Sequence, residues 1–225
     1  MNQIEAVIFD LDGTLIDSMG VWERIDGAFL RNRGIEVPSD YGEAIRALGF
    51  RQTAQYTIRR FGFSDTEEAL MAEWHEMARH EYETRIPLKP YAKEYLRSLQ
   101  ANQVKLGIAT AAPPALYEAV LRHHRIRDFF EVICSTDEVG RGKAYPDLFL
   151  HTAARLNTAP EHCLVFEDIL QAIESARRAG MMVYGIYDDA SRKDWEAITR
   201  TADGALFDFQ DAPLSYNQKY EINTQ

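Results

Sequence analysis

The sequence predicts an α/β fold: a Rossmann-like parallel sheet sandwiched by helices, with a small α-helical cap domain inserted into it. Three observations lead there. Apolar runs of strand length recur and alternate with helical patterns, as in a parallel sheet covered by helices. About ninety residues poor in strand signals separate the first run from the second, far more than a crossover needs. Several runs end in charged or hydroxyl residues, as strands do at the carboxyl edge of a sheet, where α/β proteins place ligands.

The first run, Ala6-Val7-Ile8-Phe9, leads into Asp10-Leu11-Asp12-Gly13-Thr14. Side chains alternate along an extended chain, so Asp10 and Asp12 start on one side and Leu11 on the other. Gly13 permits a sharp turn, and Thr14 adds a hydroxyl. Two such carboxylates could share a metal and a phosphorus atom, or simply be solvated charges of an Asp-Gly turn.

In the long segment that follows, Trp22–Arg33, Gln52–Phe61 and Thr66–Tyr82 carry apolar residues at helical spacing, broken at Gly34, Pro38, Gly49 and Gly62. Residues 17–86 are therefore expected to form the cap, hinged at the turn after Leu15 and at Ile86-Pro87-Leu88. Residues 1–16 and 87–213 form the discontinuous core, and 214–225 a polar, loosely ordered tail.

The second strand, Val104–Thr110, runs into Ala111-Ala112-Pro113-Pro114. A helix N-terminus with free N–H groups and one hydroxyl is a ready anion site, though Thr110 could equally be an N-cap. After the third strand, Val132–Ser135, Lys143 stands in a loop before the helix Leu148–Leu156, where most lysines are merely solvated. The fourth strand, Cys163–Phe166, ends in Glu167-Asp168, a second acidic pair. Asp168 could be the N-cap of the helix Ile169–Ala179, but carboxylates gathered at one sheet edge repel, and a divalent cation relieves that. With oxygen ligands alone on offer, Mg²⁺ suits such a site better than zinc. The last strands are Met181–Tyr187 and Ala205–Phe209.

The formal net charge of −10 argues against a nucleic-acid grip, so a phosphorylated ligand would be small and locally held. The N-terminus lacks a signal-like pattern, and no apolar run approaches the roughly 20 residues of a membrane span. A soluble, cytoplasmic protein with no membrane partner is expected. Cys134 and Cys163 lie in apolar runs without metal-site spacing, as buried free thiols do.

Asp10-Leu11-Asp12-Gly13-Thr14, Thr110, Lys143 and Glu167-Asp168, in this order, resemble the four motifs of the haloacid dehalogenase superfamily. The helical insert after the first motif resembles the type-1 cap of its β-phosphoglucomutase-like and phosphoglycolate phosphatase-like branch. Lys143-Ala144-Tyr145-Pro146-Asp147-Leu148-Phe149 resembles that branch's Lys-Pro-x-Pro-Asp-x-Phe segment, with Ala144 for the first Pro. Where relatives read Glu-Asp-Ser-x-x-Gly, this chain has Glu167-Asp168-Ile169-Leu170-Gln171-Ala172, losing a hydroxyl beside the metal site.

The resemblance implies a Mg²⁺-dependent phosphatase acting on a small phosphorylated metabolite. Asp10 would attack phosphorus to form an aspartyl-phosphate, and Asp12 would protonate the leaving oxygen and then activate water. Mg²⁺ would be held by Asp10, the Asp12 backbone carbonyl and Asp168, with Glu167 directly or through water. Thr110, the Ala111 N–H and Lys143 would bind the phosphoryl group, and Thr14 would orient Asp12. Cap residues that could choose the substrate are Trp22, Arg24, Arg46 and above all Arg51, whose Gly49-Phe50-Arg51 setting resembles a cap substrate loop. Sugar phosphomutases of the branch carry a His twelve residues after the nucleophile, where this chain has Trp22, which favours hydrolysis. A non-catalytic sensor of a phosphorylated ligand is the reading from another class. A monomer would suffice for the chemistry.

Overall fold

A computed structural model describes residues 4–45 and 50–213 of the chain. In chain order its main elements are β1 (Ala6–Phe9), α1 (Val21–Asn32), α2 (Tyr41–Ile45), α3 (Phe50–Phe61), α4 (Glu67–Thr84), α5 (Ala92–Ala101), β2 (Lys105–Thr110) and α6 (Pro114–His123). Then follow β3 (Val132–Ser135), α7 (Thr136–Val139), α8 (Asp147–Arg155), β4 (Cys163–Glu167), α9 (Leu170–Arg178), β5 (Met182–Ile186), α10 (Trp195–Thr201) and β6 (Gly204–Leu206). The chain divides into two compact units, Gly20–Ile86 and a second that takes in the chain through Met19 and from Pro87 onward. Among the described residues no helix is long and apolar enough to cross a membrane.

The second unit is the expected parallel sheet, in the order β3-β2-β1-β4-β5-β6. β1 lies between β2 and β4, with Phe9 level with Ile108 on one side and Phe166 on the other. Asp10, Thr110 and Glu167 therefore leave neighbouring strands at one edge. Alternation along β1 feeds two cores. Ala6 and Ile8 join Ala109, Cys134, Phe149, Cys163, Val165 and Ile173 on one face. On the other, Phe9 stacks on Phe166 at 5.3 Å and meets Tyr95, Phe130 and Phe209.

Most strand bounds fall within a residue or two of expectation. The exception is β6, which stops at Leu206 although the sequence favours strand to Phe209. Phe207 is exposed there, while Phe209 is drawn out of the strand into the aromatic cluster, where it stacks on Tyr95 at 5.5 Å. Both cysteines are free and buried, and burial pushes the Cys163 thiol up to about 12.

The Gly20–Ile86 unit is all helical among its described residues. In α1, Val21, Ile25 and Phe29 recur every four residues and bury one face. Thr66, expected as the first residue of α4, is instead its N-cap and accepts the Ala69 N–H at 3.2 Å. Phe29 meets Trp74 edge-on at 5.3 Å, and the Arg33 guanidinium covers the Phe29 ring at 3.9 Å while forking onto Glu73 at 2.9 and 2.7 Å. Arg46 and Gly49, and the tail 214–225, lie outside the described residues.

Asp26 stands on α1 with its carboxyl pushed up to about 6, first by burial and then by the charge of Glu23. The folded chain thus keeps a proton that the unfolded chain sheds near 3.8, so the stability linked to it is fully present below that pH and falls as pH rises to about 6. Asp26→Asn is expected to raise the Tm relative to wild type above pH 6 and to make little difference near pH 4. After discounting for partial exposure the gain is about 1 kcal/mol, or roughly 2–4 °C. Calorimetry at the two pH values checks it.

Candidate active site

Five polar side chains that the sequence marks, Asp10, Thr14, Lys143, Glu167 and Asp168, converge at the carboxyl edge of the sheet. Asp10 leaves β1 with its N–H tied to the Phe166 carbonyl at 2.9 Å, and its side chain is buried. The chain then folds into a tight turn in which Leu15 and Ile16 donate to the Leu11 carbonyl and Gly13 donates to Ile16. Gly13 sits at φ +85°, and a Cβ there would lie 2.6 Å from Asp168 Oδ2. Glycine is thus required twice, by the backbone and by the close approach of Asp168. Gly13→Ala is expected to displace Asp168 and lower turnover at least about tenfold, and its left-handed backbone should cost about 1–2 kcal/mol, or roughly 2–8 °C of Tm, which kinetics and calorimetry read together.

The Lys143 ammonium bonds both Asp10 and, at 2.7 Å, Glu167 Oε2. Its loop runs from Gly140, in the left-handed region at φ +65°, to Pro146, and Arg178 of α9 donates to the Ala144 carbonyl at 2.7 Å. That bond fixes the backbone where the family pattern has proline. Burial alone would lower the Lys143 pKa, but the charges of Asp10 and Glu167 outweigh it and raise it, so the lysine is cationic here.

Glu167 Oε1 accepts the N–H groups of Asp168 and Ile169, each at 3.1 Å. The residue preceding α9 is Ile169, with no side-chain cap, so Asp168 is not the N-cap that its position in the sequence allowed. Freed from capping, Asp168 turns to the site and accepts from Thr14 Oγ1 at 2.9 Å. The Thr14 oxygen also lies 3.2 Å from Asp10 Oδ2, and its single proton serves one carboxylate at a time. Thr14 thus ties Asp10 to Asp168, and the hydroxyl that holds Asp12 Oδ1, at 2.7 Å, is that of buried Ser18. This corrects the expectation that Thr14 orients Asp12. Ser18 carries no signal in the sequence, being one hydroxyl at the start of the segment expected to form the cap.

Thr110 is buried at the end of β2, where its Oγ1 accepts the Ala112 N–H at 2.9 Å and keeps its own proton to donate. Ala111 is exposed, Pro113 is the N-cap and Pro114 opens α6. Within the helical unit, Arg51 pairs with Glu67 at 2.8 Å and Glu68 at 2.7 Å, Arg24 lies 3.4 Å from Glu81, and Trp22 is exposed.

Oxygens of Asp10, Glu167 and Asp168 all lie within 4.8 Å of one another. Three buried carboxylates against one ammonium leave excess negative charge. Burial first and neighbouring carboxylates second push Glu167 up to about 7 and Asp168 well above its usual value. Carboxylates that take up protons for want of positive charge, offering only hard oxygen donors, fit a cation such as Mg²⁺. Asp12 contributes no side-chain oxygen to that group.

The model of the haloacid dehalogenase-like hydrolase family matches residues 4–180. The chain belongs to that family. This haloacid dehalogenase-like hydrolase is 28% identical over 204 residues to a phosphorylated carbohydrates phosphatase of Thermotoga maritima, covering 90% of this chain and 94% of the relative. It is 29% identical over 196 residues to a β-phosphoglucomutase of Bacillus subtilis, covering 81% of this chain and 83% of that protein. In fold it resembles CbbY of Rhodobacter sphaeroides, solved in complex with phosphate, with a TM-score of 0.73 at 23% identity over 92% of this chain and 96% of that one.

Proposed function

We propose that this hydrolase is a Mg²⁺-dependent phosphatase of small phosphomonoesters, sugar phosphates or close analogues, that works through an aspartyl-phosphate on Asp10. The observation that carries the reading is the buried Asp10 carboxylate, gathered with Lys143, Thr14, Glu167 and Asp168 at one sheet edge. The Thermotoga maritima relative supports the substrate class.

Asp10, Glu167 and Asp168, with the Asp12 backbone carbonyl, would hold Mg²⁺, which supplies positive charge between an anionic nucleophile and an anionic substrate. Asp10 attacks phosphorus, the phosphorus–oxygen bond to the leaving alcohol breaks, and Asp12, held by Ser18, gives that oxygen its proton. Asp12 then takes a proton from water, which attacks phosphorus and returns Asp10 as a free carboxylate. Thr110, the Ala111 N–H and Lys143 bear the phosphoryl oxygens, and Lys143 also orients Asp10. Substrate choice is assigned to the helical segment 17–86, with Arg51 as its candidate determinant.

The Bacillus subtilis relative keeps the mutase reading in view. Both are tested by following free phosphate and isomerised sugar from hexose, hexitol and pentose phosphates, with Mg²⁺ and with chelator. Mg²⁺-dependent release of phosphate supports the phosphatase. Isomerisation without release supports the mutase, and ligand-induced stabilisation with neither supports a sensor.

A further inference from the structure

We propose that Cys134, Glu138 and His151 form a second metal site, suited to Zn²⁺, at the base of the loop that carries Lys143. Cys134 lies on β3, Glu138 on α7 and His151 on α8, and Sγ, a carboxylate oxygen and a ring nitrogen lie within 4.8 Å of one another. The donors differ in kind from the oxygen cluster around Asp10. A thiolate, an imidazole and a carboxylate are zinc ligands, and three protein ligands leave the fourth tetrahedral position to water.

Glu138 is already oriented for the task. Its Oε1 accepts the Ser135 N–H at 2.9 Å in a capping box, which turns Oε2 toward His151 Nε2 at 3.4 Å. The same place already attracts a cation. Arg155 Nη1 lies 3.6 Å from Cys134 Sγ, 3.0 Å from Glu138 Oε2 and 3.4 Å from the Ile133 carbonyl. The Arg155 side chain is 45% exposed, so it can swing into solvent and cede the position. Binding then replaces one cation by another, and the Cys134 thiol releases its proton to solvent as the metal–sulfur bond forms. Because α7 and α8 flank residues 140–146, the metal would fasten both ends of the loop that presents Lys143.

Titration of the full chain with Co²⁺ tests the site, since a cysteine thiolate bound to cobalt gives a charge-transfer band in the near ultraviolet that carboxylate ligands do not. Wild type is expected to develop the band, and added Zn²⁺ to bleach it. His151→Ala, on a partly exposed helix face, should weaken Co²⁺ binding at least about tenfold, and Arg155→Met should tighten it by removing the competing cation. Cys134→Ser should lack the band, whereas a band that survives in it would come from Cys163 and overturn the proposal. A wild type without a band at millimolar Co²⁺, or an unchanged midpoint in His151→Ala, would overturn it as well.

Discussion

Asp10→Asn is expected to cut phosphomonoester turnover at least about ten-thousand-fold, the scale seen when a covalent nucleophile is lost, with the fold intact. The carboxamide keeps the shape of the side chain but has no anionic oxygen with which to attack phosphorus. Stability should not suffer, because Asp10 is one of three carboxylates facing one ammonium, and its charge helps to push Glu167 and Asp168 up. Lys143 keeps Glu167 as a partner in the variant. A kcat measurement beside a calorimetric scan checks both halves, and a variant that is inactive because unfolded would not support the assignment.

Lys143→Met should lower both activity and stability, and Mg²⁺ should restore only the second. The substitution removes the ammonium that bonds Asp10 and Glu167 in a site where both are buried. Breaking a buried pair by deleting one partner costs about 3–5 kcal/mol, equivalent here to a Tm fall of roughly 6–20 °C in chelator. A cation bound by the remaining carboxylates offsets their repulsion, so Mg²⁺ is expected to raise the variant's Tm more than that of wild type. Turnover should stay about a hundred- to a thousand-fold low even in Mg²⁺, because the charge that faces the phosphoryl oxygens and orients Asp10 is gone. Equal Mg²⁺-induced shifts in the two proteins would contradict this placing of Lys143.

Much of the carboxyl edge is legible in the sequence because its chemistry is local. Asp10 and Glu167 each follow an apolar run, and adjacent parallel strands bring those ends together whatever the loops do. Bonds made across long stretches of chain are not legible. Asp168 reads equally well as a cap, and its turn toward the site is made by a bond from Thr14, 154 residues away in the chain. That Gly13 must lack a Cβ because Asp168 packs on it depends on a contact between residues far apart in the chain. Ser18 and Arg178 act through single hydrogen bonds that no periodicity marks. Thr14 turns its hydroxyl to Asp10 and Asp168 rather than to Asp12, since its place after Asp12 says nothing of where that hydroxyl points. Local propensity set β6 too long because it could not register the pull of the aromatic cluster on Phe209.

Trapping phosphate on Asp10 is the most direct test of the central claim. The protein would be mixed with a radiolabelled sugar phosphate and Mg²⁺, quenched in acid at short times and mapped by peptide. We expect label on the peptide that contains Asp10, lost on chase with unlabelled substrate and absent from Asp10→Asn. Label on another residue, or steady phosphate release by Asp10→Asn, would contradict the account.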